Sequence, residues 1–254
     1  MNLTLEGKRA IVTGGTRGIG FAIARQLAEA GCRVVICGRG QASVDKAVAE
    51  LTADAGIKVF GCPADVSIQE EVAALFRFAD GHFDGGLEIL VNNAGIGIFK
   101  KTAELSIEDW KRVMDVNMTG TFACTKEALP RMIRSGSGYV VNVSSLAGKN
   151  PFATGAAYNA SKFAMNGFSE ALMLDHRYDN IRVTYVMPGS VDTDFSPRSS
   201  RETGRETGRE TAGESGADWK IASTDVADMV LAVLRMPERT MVSRIEMRPA
   251  KPKK

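Results

Sequence analysis

An α/β fold built on a single Rossmann-type doubly wound parallel sheet of about seven strands, flanked by helices, is what this sequence predicts. Three observations predict it. Short β-branched runs recur along the whole chain, amphipathic helical stretches separate them, and the runs are apolar throughout rather than alternating. Continuous apolarity suits strands covered on both faces, and regular strand–helix alternation builds a parallel sheet with right-handed crossovers.

The first run, Arg9–Val12, precedes a helix over Ile19–Ala30, in which Ile19, Ile23, Leu27 and Ala30 share one stripe. Gly31 follows, where a helix C-terminus favours glycine. Further strands are expected near Val34–Cys37, Lys58–Phe60, Glu88–Val91, Tyr139–Val143, Arg182–Met187 and Met241–Ile245. Helical patterns fit Ser43–Thr52, Ile68–Phe78, Ile107–Arg134, Tyr158–His176 and Thr224–Arg235. Ser196–Asp218 breaks the alternation: it has no large apolar residue, and the Arg-Glu-Thr-Gly of Arg201–Gly204 repeats at Arg205–Gly208. So long a polar stretch reads as a mobile substrate lid, residues 196–218, within one domain spanning residues 1–254.

The 254 residues carry 32 basic and 30 acidic side chains, a net charge of +2. That balance argues against a nucleic-acid surface. No apolar run approaches the ~20 residues that span a bilayer. The opening MNLTLEGKRA holds no signal-peptide core, and the Lys251–Lys254 tail reads as a solvated end rather than a membrane contact. Cys32, Cys37, Cys62 and Cys124 form no CxxC pair and no zinc spacing with His82 or His176. They are expected to be reduced, structural thiols in a soluble cytoplasmic protein without a metal. The two histidines are expected at the surface, and Trp110, Met114 and Met118 in the core or a subunit contact.

Ligands of such sheets bind outside the carboxyl ends of the strands, so the residues following each run carry the chemistry. After the first run comes Thr13-Gly14-Gly15-Thr16-Arg17-Gly18-Ile19-Gly20. Glycines there permit a tight turn and let a pyrophosphate approach the amino end of a helix. The spacing is Gly-x3-Gly-x-Gly rather than GxGxxG, so the common dinucleotide fingerprint is not matched. A second signal is Tyr158-Asn159-Ala160-Ser161-Lys162, whose i,i+4 spacing puts a phenol and an ammonium on one helical face. Lowering a phenol by three pKa units takes ~4 kcal/mol, about what one cation at ~4 Å supplies at an effective dielectric of ~20. Such a pair in isolation is commonplace on solvated helices.

Thr13 through Gly20, Asn92-Asn93-Ala94-Gly95, Asn117, Ser144-Ser145, Tyr158-x3-Lys162 and Pro188-Gly189 together resemble, in order and spacing, the short-chain dehydrogenase/reductase family, from about Leu5 to Thr193. The resemblance implies that Tyr158 is the acid/base, that Lys162 lowers its pKa and binds the nicotinamide ribose, and that Ser145 rather than Ser144 holds the substrate carbonyl. It implies that Asn117 anchors a proton-relay water. Cofactor contacts are implied at Gly14, Thr16, Arg17, Gly18, Ile19 and Gly20; at Asp65 and Val66 by the adenine; at Asn92, Ala94 and Gly95 beside its ribose; and at Pro188, Gly189, Val191 and Thr193 by the carboxamide.

Cofactor choice follows from charge. NAD sites place an acid at the end of the second strand to hold the ribose 2′-hydroxyl. Here Gly38 and Arg39 stand there, with Arg17 in the glycine loop and no acid before Asp45. Two guanidiniums suit a 2′-phosphate, which favours NADP(H). The reading is an NADP-dependent oxidoreductase that interconverts a small-molecule carbonyl and a secondary alcohol, expected to be a homodimer or homotetramer. Two alternatives stand beside it. One is a 3-oxoacyl-carrier-protein reductase, against which Met241–Pro249 lacks the Asp-Gly-Gly ending common in those enzymes. The other is an NADP-sensing binding protein without turnover.

Overall fold

The apolar runs form strands β1 (Arg9–Val12), β2 (Arg33–Gly38), β3 (Lys58–Pro63), β4 (Ile89–Asn92), β5 (Gly138–Val143), β6 (Ile181–Pro188) and β7 (Arg244–Met247). The helices are α1 (Gly18–Glu29), α2 (Gln41–Leu51), α3 (Gln69–Phe83), α4 (Ile107–Met114), α5 (Gly120–Arg134), α6 (Ala156–His176) and α7 (Ser223–Leu234). This computed structural model describes residues 4–53, 58–193, 195 and 219–252. All seven strands join one parallel sheet in the order β3-β2-β1-β4-β5-β6-β7. The fold is a doubly wound Rossmann-type sheet. Its strand order reverses beside β1, which pairs with both β2 and β4 and so opens a crevice at their carboxyl ends.

Side-chain alternation explains why both phases of each strand are apolar. In β2, Val34 and Ile36 enter one core layer while Val35 and Cys37 enter the other. The first layer packs Ile23 and Leu27 of α1 with Val226, Val230 and Leu234 of α7. The second packs Leu75, Phe76 and Phe83 of α3 with Met132 of α5 and Leu172 of α6. Phe76 is fully buried there, and truncating such a ring to alanine costs about 3–5 kcal/mol.

Several expected boundaries move. The stretch Ile107–Arg134 is not one uniform α-helix: a π-helical turn over Asp115–Thr119 separates α4 from α5 and contains the fully buried Asn117. Strand β7 lies three residues beyond its expected start, because Arg244–Met247 is the segment in register with Tyr185–Pro188. Helix α3 runs on past Phe78, since Ala79 and Phe83 still face the core, and it stops at left-handed Asp84 (φ 53°). His82 is half-buried rather than at the surface, its ring stacked on Phe60 at 4.0 Å and tilted against Phe78 at 4.6 Å. Trp110 is 39% exposed, which excludes a core role, while Met114 and Met118 are half-buried.

The four cysteines are free thiols, and burial pushes Cys32 and Cys37 up to about 12. Among the described residues, no helix is long and apolar enough to cross a membrane. The proposed lid, residues 196–218, lies outside the described residues.

Candidate active site

A cleft of about 1020 Å³ opens at the carboxyl ends of the strands, within the size range of small-molecule and cofactor sites. Gly14, Thr16, Arg17, Gly18 and Ile19 line one end of it. Gly14 has φ +64°, and a Cβ there would stand 2.9 Å from Ala94 Cα, so the turn admits no side chain. Gly20 does not line the cleft. A Cβ on it would meet Gly14 O and Asn93 Nδ2 at 2.3 Å, so its role is close packing beneath the turn. Helix α1 starts with no side-chain cap and no acid in its first turn, which leaves its amino end suited to an anion.

Two of the strand-end loops are tied together by motif residues to which the sequence assigned no contact. Thr13 Oγ1 accepts from the backbone N–H groups of Asn93 (3.0 Å) and Ala94 (3.1 Å). The Asn93 amide donates back to Thr13 O and Gly14 O, each at 3.0 Å. Asn93, Ala94 and Gly95 line the cleft, whereas Asn92 does not. Asn92 is the last residue of β4, and its Nδ2 donates to Thr125 Oγ1 of α5 (3.1 Å) and Asn142 Oδ1 of β5 (2.9 Å). Asn142 in turn donates to Ser169 Oγ of α6 at 2.8 Å. The expected ribose contact is therefore part of a buried network that locks β4 and β5 to two helices.

Arg39, Asp65 and Val66 follow β2 and β3 and also line the cleft. Burial raises the Asp65 pKa, but hydrogen bonds from Ser67 and the charges of Arg39 and Arg112 outweigh it and hold the carboxyl below its usual range. Pro188, the last residue of β6, and Gly189, Val191 and Thr193 beyond it line the cleft. A β-bridge between Val191 and Ile221 fastens this segment to the residues before α7.

Ser145, Tyr158 and Lys162 meet in the floor of the cleft. The Ser145 hydroxyl accepts from Ala147 N at 3.1 Å, and its influence favours the Tyr158 phenolate. Ser144 is engaged elsewhere, donating to Asn166 Oδ1 at 2.6 Å. Lys162 Nζ donates to Val143 O at 2.8 Å and lies 5.7 Å from the centre of the Tyr158 ring. Burial pushes the Tyr158 phenol above its usual range against the opposing influence of Ser145, and burial brings Lys162 down to about 8. Desolvation is the largest influence on both groups, and Val143 O is the hydrogen-bond partner of the ammonium.

Asn117 is buried behind the cleft wall, where its side chain bonds Ile96 and Ser161; its neighbour Val116 lines the cleft instead. Three phenylalanines that no motif singles out surround Tyr158. Ring-centre distances from Tyr158 are 5.7 Å to Phe99, 6.3 Å to Phe152 and 5.7 Å to Phe195.

A doubly wound sheet with a glycine turn and a serine–tyrosine–lysine cluster in its crevice defines a Rossmann-type oxidoreductase. This chain belongs to the short-chain dehydrogenase/reductase family: the profile described as short chain dehydrogenase matches residues 8–204. An uncharacterized oxidoreductase of Staphylococcus aureus (strain MRSA252) is 34% identical over 249 residues, covering 96% of this chain and 98% of the relative. Dehydrogenase/reductase SDR family member 4 of Oryctolagus cuniculus is 42% identical over 193 residues, 76% of this chain and 74% of that protein. Among solved structures, a variant of actinorhodin polyketide ketoreductase with NADPH superposes with a TM-score of 0.84 at 32% identity, covering 97% of both chains. An alcohol dehydrogenase from the archaeon Thermococcus sibiricus, complexed with 5-hydroxy-NADP, gives 0.84 at 28% identity, covering 98% of this chain and 100% of that one.

Proposed function

We propose that this enzyme interconverts a carbonyl and a secondary alcohol, using NADP(H) as hydride carrier and Tyr158 as acid/base. The observation that carries the reading is the convergence of Ser145, Tyr158 and Lys162 in one cleft with the glycine turn. The residues present fit the cofactor. The turn at Gly14 lines the cleft and carries no side chain, the amino end of α1 favours a pyrophosphate, and Arg17 and Arg39 suit a 2′-phosphate. NADPH and 5-hydroxy-NADP in the two solved relatives support the same choice.

Asp65 and Val66 would border the adenine, Ala94 and Gly95 its ribose, Lys162 the nicotinamide ribose, and Pro188, Gly189, Val191 and Thr193 the carboxamide. When bound, the nicotinamide supplies hydride to the carbonyl carbon. The Ser145 hydroxyl donates to the substrate oxygen and stabilises its developing charge. Tyr158, a neutral phenol at pH 7, gives that oxygen its proton, so the carbonyl gains one hydride and one proton to become an alcohol. Lys162 remains mostly protonated at pH 7, and its charge favours the phenolate left behind.

We read the chain as one cytoplasmic domain. The exposed Trp110, Phe122, Phe163 and Leu174 on α4, α5 and α6 support a homodimer or homotetramer paired through those helices. The test is loss of NADPH absorbance with a ketone panel, in the native enzyme and in Tyr158→Phe. Turnover that survives in the variant would overturn the mechanism.

A further inference from the structure

Phe99 follows β4, Phe152 follows β5 and Phe195 follows β6, so three separate loops deliver rings to one tyrosine. Phe99 and Phe152 also contact each other, with ring centres 5.6 Å apart at a 37° tilt. Aromatic rings attract one another at such spacings in offset and tilted arrangements. Phe152 and Phe195 are nevertheless each 45% exposed. Apolar surface left wet beside a catalytic hydroxyl is surface that a ligand can cover.

The charges around it narrow the ligand further. Among the described residues, the charged side chains lining the cleft are Arg17, Arg39, Asp65, Lys162, Lys220 and Arg248. The first three border the glycine turn and the β2 and β3 ends, and Lys162 belongs to the catalytic floor. Lys220 is paired with Asp192 at 3.6 Å, and Arg248 is paired with Glu246. Among the described residues, no cation lining the substrate end of the cleft lacks an acidic partner.

We infer that the substrate is a neutral ketone with an aryl group, or a comparably flat hydrocarbon, next to the carbonyl. The carbonyl oxygen meets Ser145 and Tyr158 while the flat group sits among Phe99, Phe152 and Phe195. This rests on the carbonyl-reductase reading above and names its substrate class. A hydroxylated sugar would lose hydrogen bonds to water against three phenyl rings, and a short alkyl ketone would leave them wet.

The test compares kcat/KM with NADPH for acetophenone, 2-butanone, a ketose and an acetoacetyl thioester. Acetophenone should exceed 2-butanone by about 100-fold, the range that apolar pocket contacts provide. In the double variant Phe152→Ala/Phe195→Ala that ratio should fall at least tenfold. Preference for butanone, the ketose or the thioester, or an unchanged ratio in the variant, would overturn the assignment. Trp219 lines the cleft, so a Trp110→Phe background gives a direct binding signal through quenching by acetophenone. Turnover of no carbonyl at all would overturn the reductase reading. The quench then decides the aryl pocket separately: saturable and weakened by the double variant supports it, and absent overturns it.

Discussion

The carboxamide of Asn117 grips the backbone of Ile96 twice, accepting from its N–H at 2.8 Å and donating to its carbonyl at 3.0 Å. The same amide donates to Ser161 Oγ at 3.0 Å, and Ser161 donates to Tyr158 O at 2.8 Å. One side chain on the π-helical turn thereby joins the loop after β4 to the helix that carries Tyr158 and Lys162. Asn117→Ala removes all three bonds and leaves buried polar groups without partners, an expected loss of roughly 2–4 kcal/mol. For a chain of this length the melting temperature should drop by roughly 5–12 °C. Thermal denaturation checks this. A shift under about 2 °C would show that the clamp does not hold the site together.

The two serines separate stability from chemistry. Ser144 donates to Asn166 away from Tyr158, so Ser144→Ala should lower stability by about 1 kcal/mol and leave most of kcat. Ser145→Ala should reduce kcat by roughly 10²–10³-fold through loss of the bond to the developing oxyanion. Tyr158→Phe should reduce it by roughly 10²–10⁴-fold while NADPH still binds. Steady-state kinetics with cofactor titration distinguishes these effects. Equal losses in the two serine variants would mean that the wrong hydroxyl has been assigned to the substrate.

The sheet is legible in the sequence because strands buried on both faces need no phase: Val34, Val35, Ile36 and Cys37 are apolar whichever way they point. Phase is what fails at the ends. Asn92 and Asn93 are the same residue type, and only the last step of β4 decides that one enters the core network and the other the cleft. Local spacing singles out Tyr158 and Lys162, which lie one helical turn apart, and the family resemblance adds Ser145. Their electrostatics are not local, because burial depends on the assembled sheet. The π-helical turn accompanies a contact between residues 96 and 117, and the aromatic cluster draws on positions 99, 152 and 195. Neither has a short motif to reveal it.

Cofactor preference tests the charge at the end of β2. Arg39 lines the cleft where an NAD enzyme would place an acid, and a hydrogen bond to a charged group contributes about 1.5–3 kcal/mol. Arg39→Ala should therefore reduce the NADPH-to-NADH ratio of kcat/KM by roughly 10- to 100-fold. The effect should appear mainly in the KM for NADPH. A native enzyme that already prefers NADH would remove the role given to Arg17 and Arg39 together.

Lys162 makes stability depend on pH in a definite direction. Its folded-state pKa of about 8 lies below the ordinary 10.5, so between those values the unfolded chain holds a proton that the folded chain has released. Stability rises with pH wherever the unfolded state binds more protons. The penalty of burying the ammonium is thus fully present below pH 8 and fades as pH climbs towards 10.5. Tyr158 acts in the opposite sense only above its ordinary value of 10, because its folded-state pKa is raised. The clean window is therefore pH 7 to 10. Lys162→Met removes the titration along with the bond to Val143 O, so the informative quantity is the change in the stability difference, not its absolute size. Native stability minus variant stability should increase by roughly 2–3 kcal/mol from pH 7 to 10. Urea denaturation of the cofactor-free proteins at several pH values measures it. A flat difference across that window would show that Lys162 keeps an ordinary pKa and is hydrated in the folded protein.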